Sequence, residues 1–99
     1  MQLVLTDYAK SRLKQIVVYY KEHASYSVAA NIRAAIFNRL KLLRSNPHIG
    51  QRESNLEHHA LNHRYLVEGN YKIIYRIEGS LIFITDIFDS RQDPKKQNS

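Results

Sequence analysis

The hydrophobic pattern of the second half of the chain is organised around three runs of β-branched and aromatic residues. They are Arg64-Tyr-Leu-Val-Glu68, Tyr71-Lys-Ile-Ile-Tyr-Arg-Ile-Glu78 and Leu81-Ile-Phe-Ile-Thr-Asp-Ile-Phe88. Such residues suit a pleated, packed surface, so each run predicts a strand. Gly69-Asn70 and Gly79-Ser80 separate them, and a glycine opening a two-residue connection supplies the positive φ of a type II′ or I′ hairpin turn. The three strands therefore form a meander. With two-residue turns the register follows, because opposed residues share a face. One face carries Leu66, Tyr71, Ile73, Tyr75, Ile77, Ile82, Ile84 and Phe88, with Arg64, Glu68 and Asp86 toward its ends. This is the expected core face. The other carries His63, Tyr65, Val67, Lys72, Ile74, Arg76, Phe83, Thr85 and Ile87, mixing cations with rings that can stack.

The first half has a different period. Gln2-Leu-Val-Leu5 suits one short strand, and Thr6-Asp7 offers side-chain oxygens to cap a helix. Ala9, Leu13, Ile16 and Tyr20 then recur on one stripe, with Lys10, Lys14 and Lys21 largely outside it, until His23-Ala24-Ser25 ends the helix. Ser27 is the candidate cap for a second helix, in which Val28, Ile32, Ala35, Ile36, Leu40 and Leu43 continue the helical period. Asn46-Pro47 stops it, since proline disfavours the α conformation before it, and Gly50 marks a turn. Residues 51–62 are mostly polar and predict a surface loop, with a short strand or turn near Leu61. Residues 93–99 contain no apolar side chain and are expected to fray.

The expectation is one α+β domain spanning residues 1–99: a strand, an antiparallel helical hairpin, and three more strands forming a small, mostly antiparallel sheet with the hairpin on one face. Whether the first strand joins an edge or the centre is left open. The stripes of both helices need a partner, and Ile73, Tyr75 and Ile84 provide it.

Composition narrows the chemistry. The chain has no cysteine, which excludes disulfides and thiolate metal sites. It has neither an apolar stretch of about 18 residues nor a charged segment leading into an apolar one, so a soluble, cytoplasmic protein without membrane contact is expected. Lys and Arg number 15 against 9 Asp and Glu, a net charge of +6 that favours anionic partners. His58, His59 and His63 raise the question of a metal, but adjacent histidines on a strand point to opposite faces and converge poorly on one ion. No metal or cofactor is expected. Arg33, Arg39, Lys41 and Arg44 read as a solvated cationic face of the second helix.

Three runs then carry a resemblance. Leu42-Leu-Arg-Ser-Asn-Pro-His-Ile-Gly50, Gly69-Asn-Tyr-Lys-Ile-Ile-Tyr-Arg-Ile77 preceded by Arg64, and Ile87-Phe-Asp-Ser-Arg-Gln-Asp-Pro94 follow a predicted helical hairpin in that order. Together they resemble the RelE/ParE superfamily of toxins from type II toxin–antitoxin modules, over nearly the whole chain. The resemblance implies an α+β fold, growth inhibition, and a cognate antitoxin that wraps the toxin. It also implies one of two mechanisms. RelE-like members cut mRNA on the ribosome with basic side chains on a sheet face and often a tyrosine near the C-terminus. ParE-like members poison DNA gyrase and lack that set.

Lys72 matches the position after Gly-x-Tyr where the nuclease branch places an arginine, and Arg91 resembles the arginine after the last strand. The lysines of the preceding strand fall here on His63 and Tyr65, and no tyrosine follows Pro94. With its Arg91-x-Asp93-Pro94 ending the chain looks closer to the ParE-like branch. The expectation is thus a toxin that binds gyrase, with Tyr65, Lys72, Arg76 and Arg91 as target- or antitoxin-binding residues. Two alternatives stand beside it: a ribosome-dependent endoribonuclease using His63, Lys72, Arg76 and Arg91, and a non-toxic nucleic-acid-binding module.

Overall fold

The computed structural model describes residues 1–54 and 62–98. Its elements are β1 (Gln2–Leu5), α1 (Asp7–His23), α2 (Tyr26–Ser45), β2 (Gln51–Arg52), β3 (Arg64–Glu68), β4 (Tyr71–Glu78) and β5 (Leu81–Asp89), followed by a 3-10 turn at Pro94–Lys96. The strands form one sheet in the order β1-β5-β4-β3-β2. The α+β architecture is the expected one, and β1 resolves the open question by lying parallel to β5 at an edge, with Gln2 opposite Leu81 and Leu5 opposite Ile84. That single parallel pair makes the sheet mixed.

Both hairpins have two-residue turns, since Glu68 pairs with Tyr71 and Glu78 with Leu81. Gly69 and Gly79 have φ of 58° and 57°, and among the described residues no non-glycine residue has positive φ. Positive φ at the first central residue alone is the type II′ pattern, which matches the twist of the flanking strands.

Thr6 caps α1 through its hydroxyl, which accepts from the Ala9 backbone N–H at 3.2 Å. The cap of α2 is Ser25, not Ser27. Ser25 has extended backbone angles and accepts from Val28 N–H at 3.1 Å, which puts Ser27 inside the first turn. The connection is therefore shorter than the sequence suggested. At the other end Asn46 N–H reaches the carbonyls of Leu42 and Leu43, and Pro47 follows, as expected of a helix stop.

Leu13 and Ile16 of α1 and Ile36, Leu40 and Leu43 of α2 pack with Ile73, Tyr75, Ile82 and Ile84 in one buried cluster, with Ile32 half-buried at its rim. The helix phases are thus as the sequence predicts. The strand faces are not, beyond one point. Tyr75 pairs with Ile84 but Ile74 pairs with Asp86, so Thr85 is an extra residue in β5. A bulge of this kind shifts the alternation by one position. Ile87 therefore packs under the helices, while Phe88, expected there, joins Ile74 and Tyr65 on the far face. Asp86 moves with it, opposite Ile74.

The polar stretch after α2 also departs from expectation. Gln51 and Arg52 pair with Tyr65 and Arg64, so the stretch begins as an edge strand, and Glu53 is buried. His58, His59 and Leu61 lie outside the described residues. The segment 46–50 is pinned by Tyr75, which is fully buried. Its hydroxyl donates to the Pro47 carbonyl and accepts from Gly50 N–H, both at 2.9 Å, and Arg64 donates to the Gly50 carbonyl at 2.9 Å. Gly50 is needed for proximity rather than for a turn conformation, because a Cβ there would collide with the Tyr75 ring and hydroxyl. Beyond Asp93, where fraying is expected, the chain forms its 3-10 turn and Asn98 hydrogen-bonds to Thr85 and Asp86.

Three stability effects follow. Ile36→Ala, at a fully buried position, should lower unfolding stability by about 2 to 5 kcal/mol in denaturant titration. Tyr75→Phe should cost about 1 to 3 kcal/mol, because the Gly50 N–H and Pro47 carbonyl both lose their partner. Gly50→Ala should cost a similar amount by overpacking against the same ring. An unchanged midpoint in Gly50→Ala would show that segment 46–50 moves away from Tyr75 without penalty.

Candidate functional site

The residues singled out from the sequence divide between the two sides of the sheet. Lys72 and Tyr65 stand diagonally on β4 and β3, on the far face, with the Lys72 ammonium 4.6 Å from the Tyr65 ring centroid. A cation over an aromatic face is attracted by its quadrupole. The same ammonium makes an ion pair of 2.9 Å with Glu53, whose side chain is 1% exposed. A carboxylate so buried requires a partner, and Lys72 supplies one. The Tyr65 hydroxyl donates to Gln51 at 3.0 Å, tying β3 to β2. His63 is 2% exposed, and its carbonyl accepts from Glu53 N–H at 2.8 Å.

Arg76 lies farther along β4 on the same face. Its guanidinium sits 4.6 Å from the Phe83 ring centroid and 3.4 Å from Glu78, and its side chain is 19% exposed. The centre of this face is closed, with Ile74, Thr85, Asp86 and Phe88 each at most 1% exposed, while Tyr65 and Phe83 are half-buried and Val67 is exposed.

Arg91 belongs to a different place. It follows β5 and grips Asp89 with two side-chain bonds, Nε to Oδ1 at 2.9 Å and Nη2 to Oδ2 at 2.7 Å, while its backbone N–H donates to Oδ1 as well. This hydrogen bonding holds the Asp89 carboxyl below the usual carboxylate range, against the opposing effect of burial. Yet the Arg91 side chain is 60% exposed. It lines a groove of about 440 Å³ between α1 and the ends of β4 and β5, with Arg12, Gln15, Tyr19, Tyr20 and Tyr71. Burial, then the bond to Tyr20 at 3.5 Å, pushes the Tyr71 hydroxyl well above its ordinary range. Arg12 is fixed by Asp86 at 3.1 Å and by the Tyr8 hydroxyl at 2.7 Å.

The structure therefore brings together Tyr65 and Lys72, and places Arg91 at a groove on the helix side. Sequence reasoning missed Glu53, Arg12, Asp86 and Asp89. Asp89 stands two residues before Arg91 and was legible as a local pair. Glu53 was not, since only the pairing of β2 with β3 brings it to Lys72. Among the described residues no group of three or more histidines and carboxylates converges as a metal site, and no helix is long and apolar enough to cross a membrane.

A family model described as the ParE toxin of type II toxin-antitoxin system, parDE, matches residues 3–94. Among solved structures, one described as a chromosomal ParDE TA system from P. aeruginosa superposes with a TM-score of 0.75 at 21% sequence identity, covering 90% of this chain and 95% of that one. At that identity the likeness speaks for the fold. No curated protein matches the chain. The family model, however, takes in both helices, all five strands and the Arg91-x-Asp93-Pro94 ending, and on that match the chain belongs to the ParE toxin family of the RelE/ParE superfamily.

Proposed function

We propose that this chain is the toxin of a toxin–antitoxin pair, that it arrests growth in the cytoplasm by binding DNA gyrase, and that a cognate antitoxin neutralises it. Family membership supports the toxin half of this reading. The choice of gyrase over messenger RNA rests on one observation: the groups a nuclease would use on this sheet face are buried or paired. Metal-free cleavage needs an accessible base for the 2′-hydroxyl, an acid for the leaving oxygen, and cations free to meet the phosphate. Here His63 is 2% exposed, and Lys72 is paired with a buried carboxylate. Arg91 stands on the helix side of the sheet, lining the groove with α1.

Inhibition by binding asks less of the site. It needs a surface, and Arg91 with the tyrosine-lined groove beside α1 offers an exposed cation on a largely fixed frame. The P. aeruginosa structure is titled as a ParDE system, which supports an antitoxin partner for this chain. With a net charge of +6 the chain favours an acidic segment that folds on binding.

Purified protein should inhibit gyrase supercoiling and leave ribosome-programmed messenger uncut. Arg91→Ala should weaken that inhibition by about two- to fivefold, and less at high salt, as exposed charge contacts do. Messenger cleavage that Lys72→Ala or His63→Ala abolishes, with supercoiling untouched, would overturn the reading in favour of the ribonuclease. For the antitoxin, Arg76→Glu together with Arg91→Glu should slow association with the product of the neighbouring gene by about tenfold or more at low salt. An unaltered association rate would place docking away from the basic surface.

A further inference from the structure

Residues 93–98 rest on β5 as a strap. Asp93 starts it: its carboxylate accepts Lys95 N–H at 3.0 Å, and its carbonyl accepts Lys96 N–H at 2.9 Å. The chain then reaches Thr85 and Asp86 at the bulge. Asn98 N–H donates to Asp86 Oδ2 at 3.0 Å, the Asn98 carboxamide donates to the Thr85 carbonyl at 3.4 Å, and the Thr85 hydroxyl divides its one proton between the Ile74 carbonyl at 3.4 Å and the Asn98 carbonyl at 3.5 Å.

The receiving side is built. Asp86 is fully buried, and its other oxygen is held by Arg12 at 3.1 Å, so its orientation does not depend on the strap. Thr85 is 1% exposed and is placed there by the bulge. The strap fits it poorly. Two of its three contacts are long for hydrogen bonds. Between its anchors Gln97 is only 9% exposed, and neither its amide oxygen nor its amide nitrogen has a partner among the described residues. A buried amide without partners is unfavourable, whereas an apolar side chain of that shape is not. The strap is also cationic at Lys95 and Lys96, on a chain that is already +6.

We propose that Thr85 and Asp86 form a docking site for an extended segment of a partner polypeptide, occupied in cis by residues 93–98 and taken over by displacement. The contacts define the partner. It offers a main-chain N–H to Asp86, a carboxamide and main-chain carbonyl to Thr85, and an apolar side chain where Gln97 sits, preceded by neutral or acidic residues. This goes beyond the gyrase reading and holds whichever target the toxin inhibits. The strap lowers the apparent affinity of such a segment by the fraction of time the site is free.

The test uses the full chain and a fluorescein-labelled peptide, Asp-Pro-Glu-Glu-Leu-Asn, followed by polarisation, alongside amide hydrogen exchange at residue 98. Gln97→Leu improves the strap's own fit, so it should slow exchange at residue 98 and weaken peptide binding, each by about tenfold. Asn98→Ala removes the carboxamide contact and should shift both readouts the other way. The unlabelled peptide Asp-Pro-Lys-Lys-Gln-Asn should compete more weakly than the Glu-Glu-Leu peptide. A peptide that binds all three chains equally, or none of them, overturns the proposal. So does an exchange rate that Gln97→Leu leaves unchanged.

Discussion

The extra residue at Thr85 is the constraint on which the rest of this structure turns. Before it, β5 alternates in step with β4 and sends Ile82 and Ile84 beneath the helices. After it, the alternation is reversed. Ile87 rather than Phe88 continues the helix-side core, and Phe88 closes over Ile74 on the far side. The same offset puts Asp86 where Arg12 of α1 meets it on one oxygen and Asn98 on the other. Bulges tend to re-aim side chains at the ends of pairing. Here β1 stops pairing at Ile84, one residue before the bulge, so the offset falls where β5 loses its parallel neighbour.

Much of this architecture was legible in the sequence because it depends on local periods. Two glycine-led turns set the hairpin registers, and the stripe through Leu13, Ile16, Ile36 and Leu40 found the core it needed. What escaped is non-local. Thr85 and Asp86 look like any alternating polar and apolar positions, and nothing within a strand announces that its neighbour has one residue fewer. The burial of Glu53 was invisible for the same reason: a carboxylate in a polar run looks solvated until its partner, Lys72, is seen 2.9 Å away. Residues 93–98, which have no apolar side chain, are kept on the sheet by main-chain and carboxamide bonds. Composition does not report such bonds.

The candidate site was legible in its residue types and much less so in its arrangement. A sequence that scatters cations along β4 and after β5 suggests one basic surface. In the folded chain Lys72 is paired with Glu53, Arg76 with Glu78 and Arg91 with Asp89, and on the helices Arg12 is paired with Asp86 and Arg39 with Glu68. The formal charge of +6 acts at long range, drawing in an anionic partner. Arg91 combines pairing with exposure. Its guanidinium is oriented by Asp89 and still faces solvent.

The parallel pairing of β1 with β5 has a consequence for the order of events in synthesis. β1 is made first, but its partner strand among the described residues, β5, lies 79 residues away by the contact between Thr6 and Thr85. The helical hairpin can form early from local contacts, whereas its core-facing stripe has nothing to cover until β4 and β5 exist. Pairings so distant in sequence are slow, since the loop must close before any contact rewards it. A nascent chain of this protein is thus without its complete sheet until the last strand has left the ribosome. During that interval its first strand and helix stripe lack the strands that cover them in the finished fold.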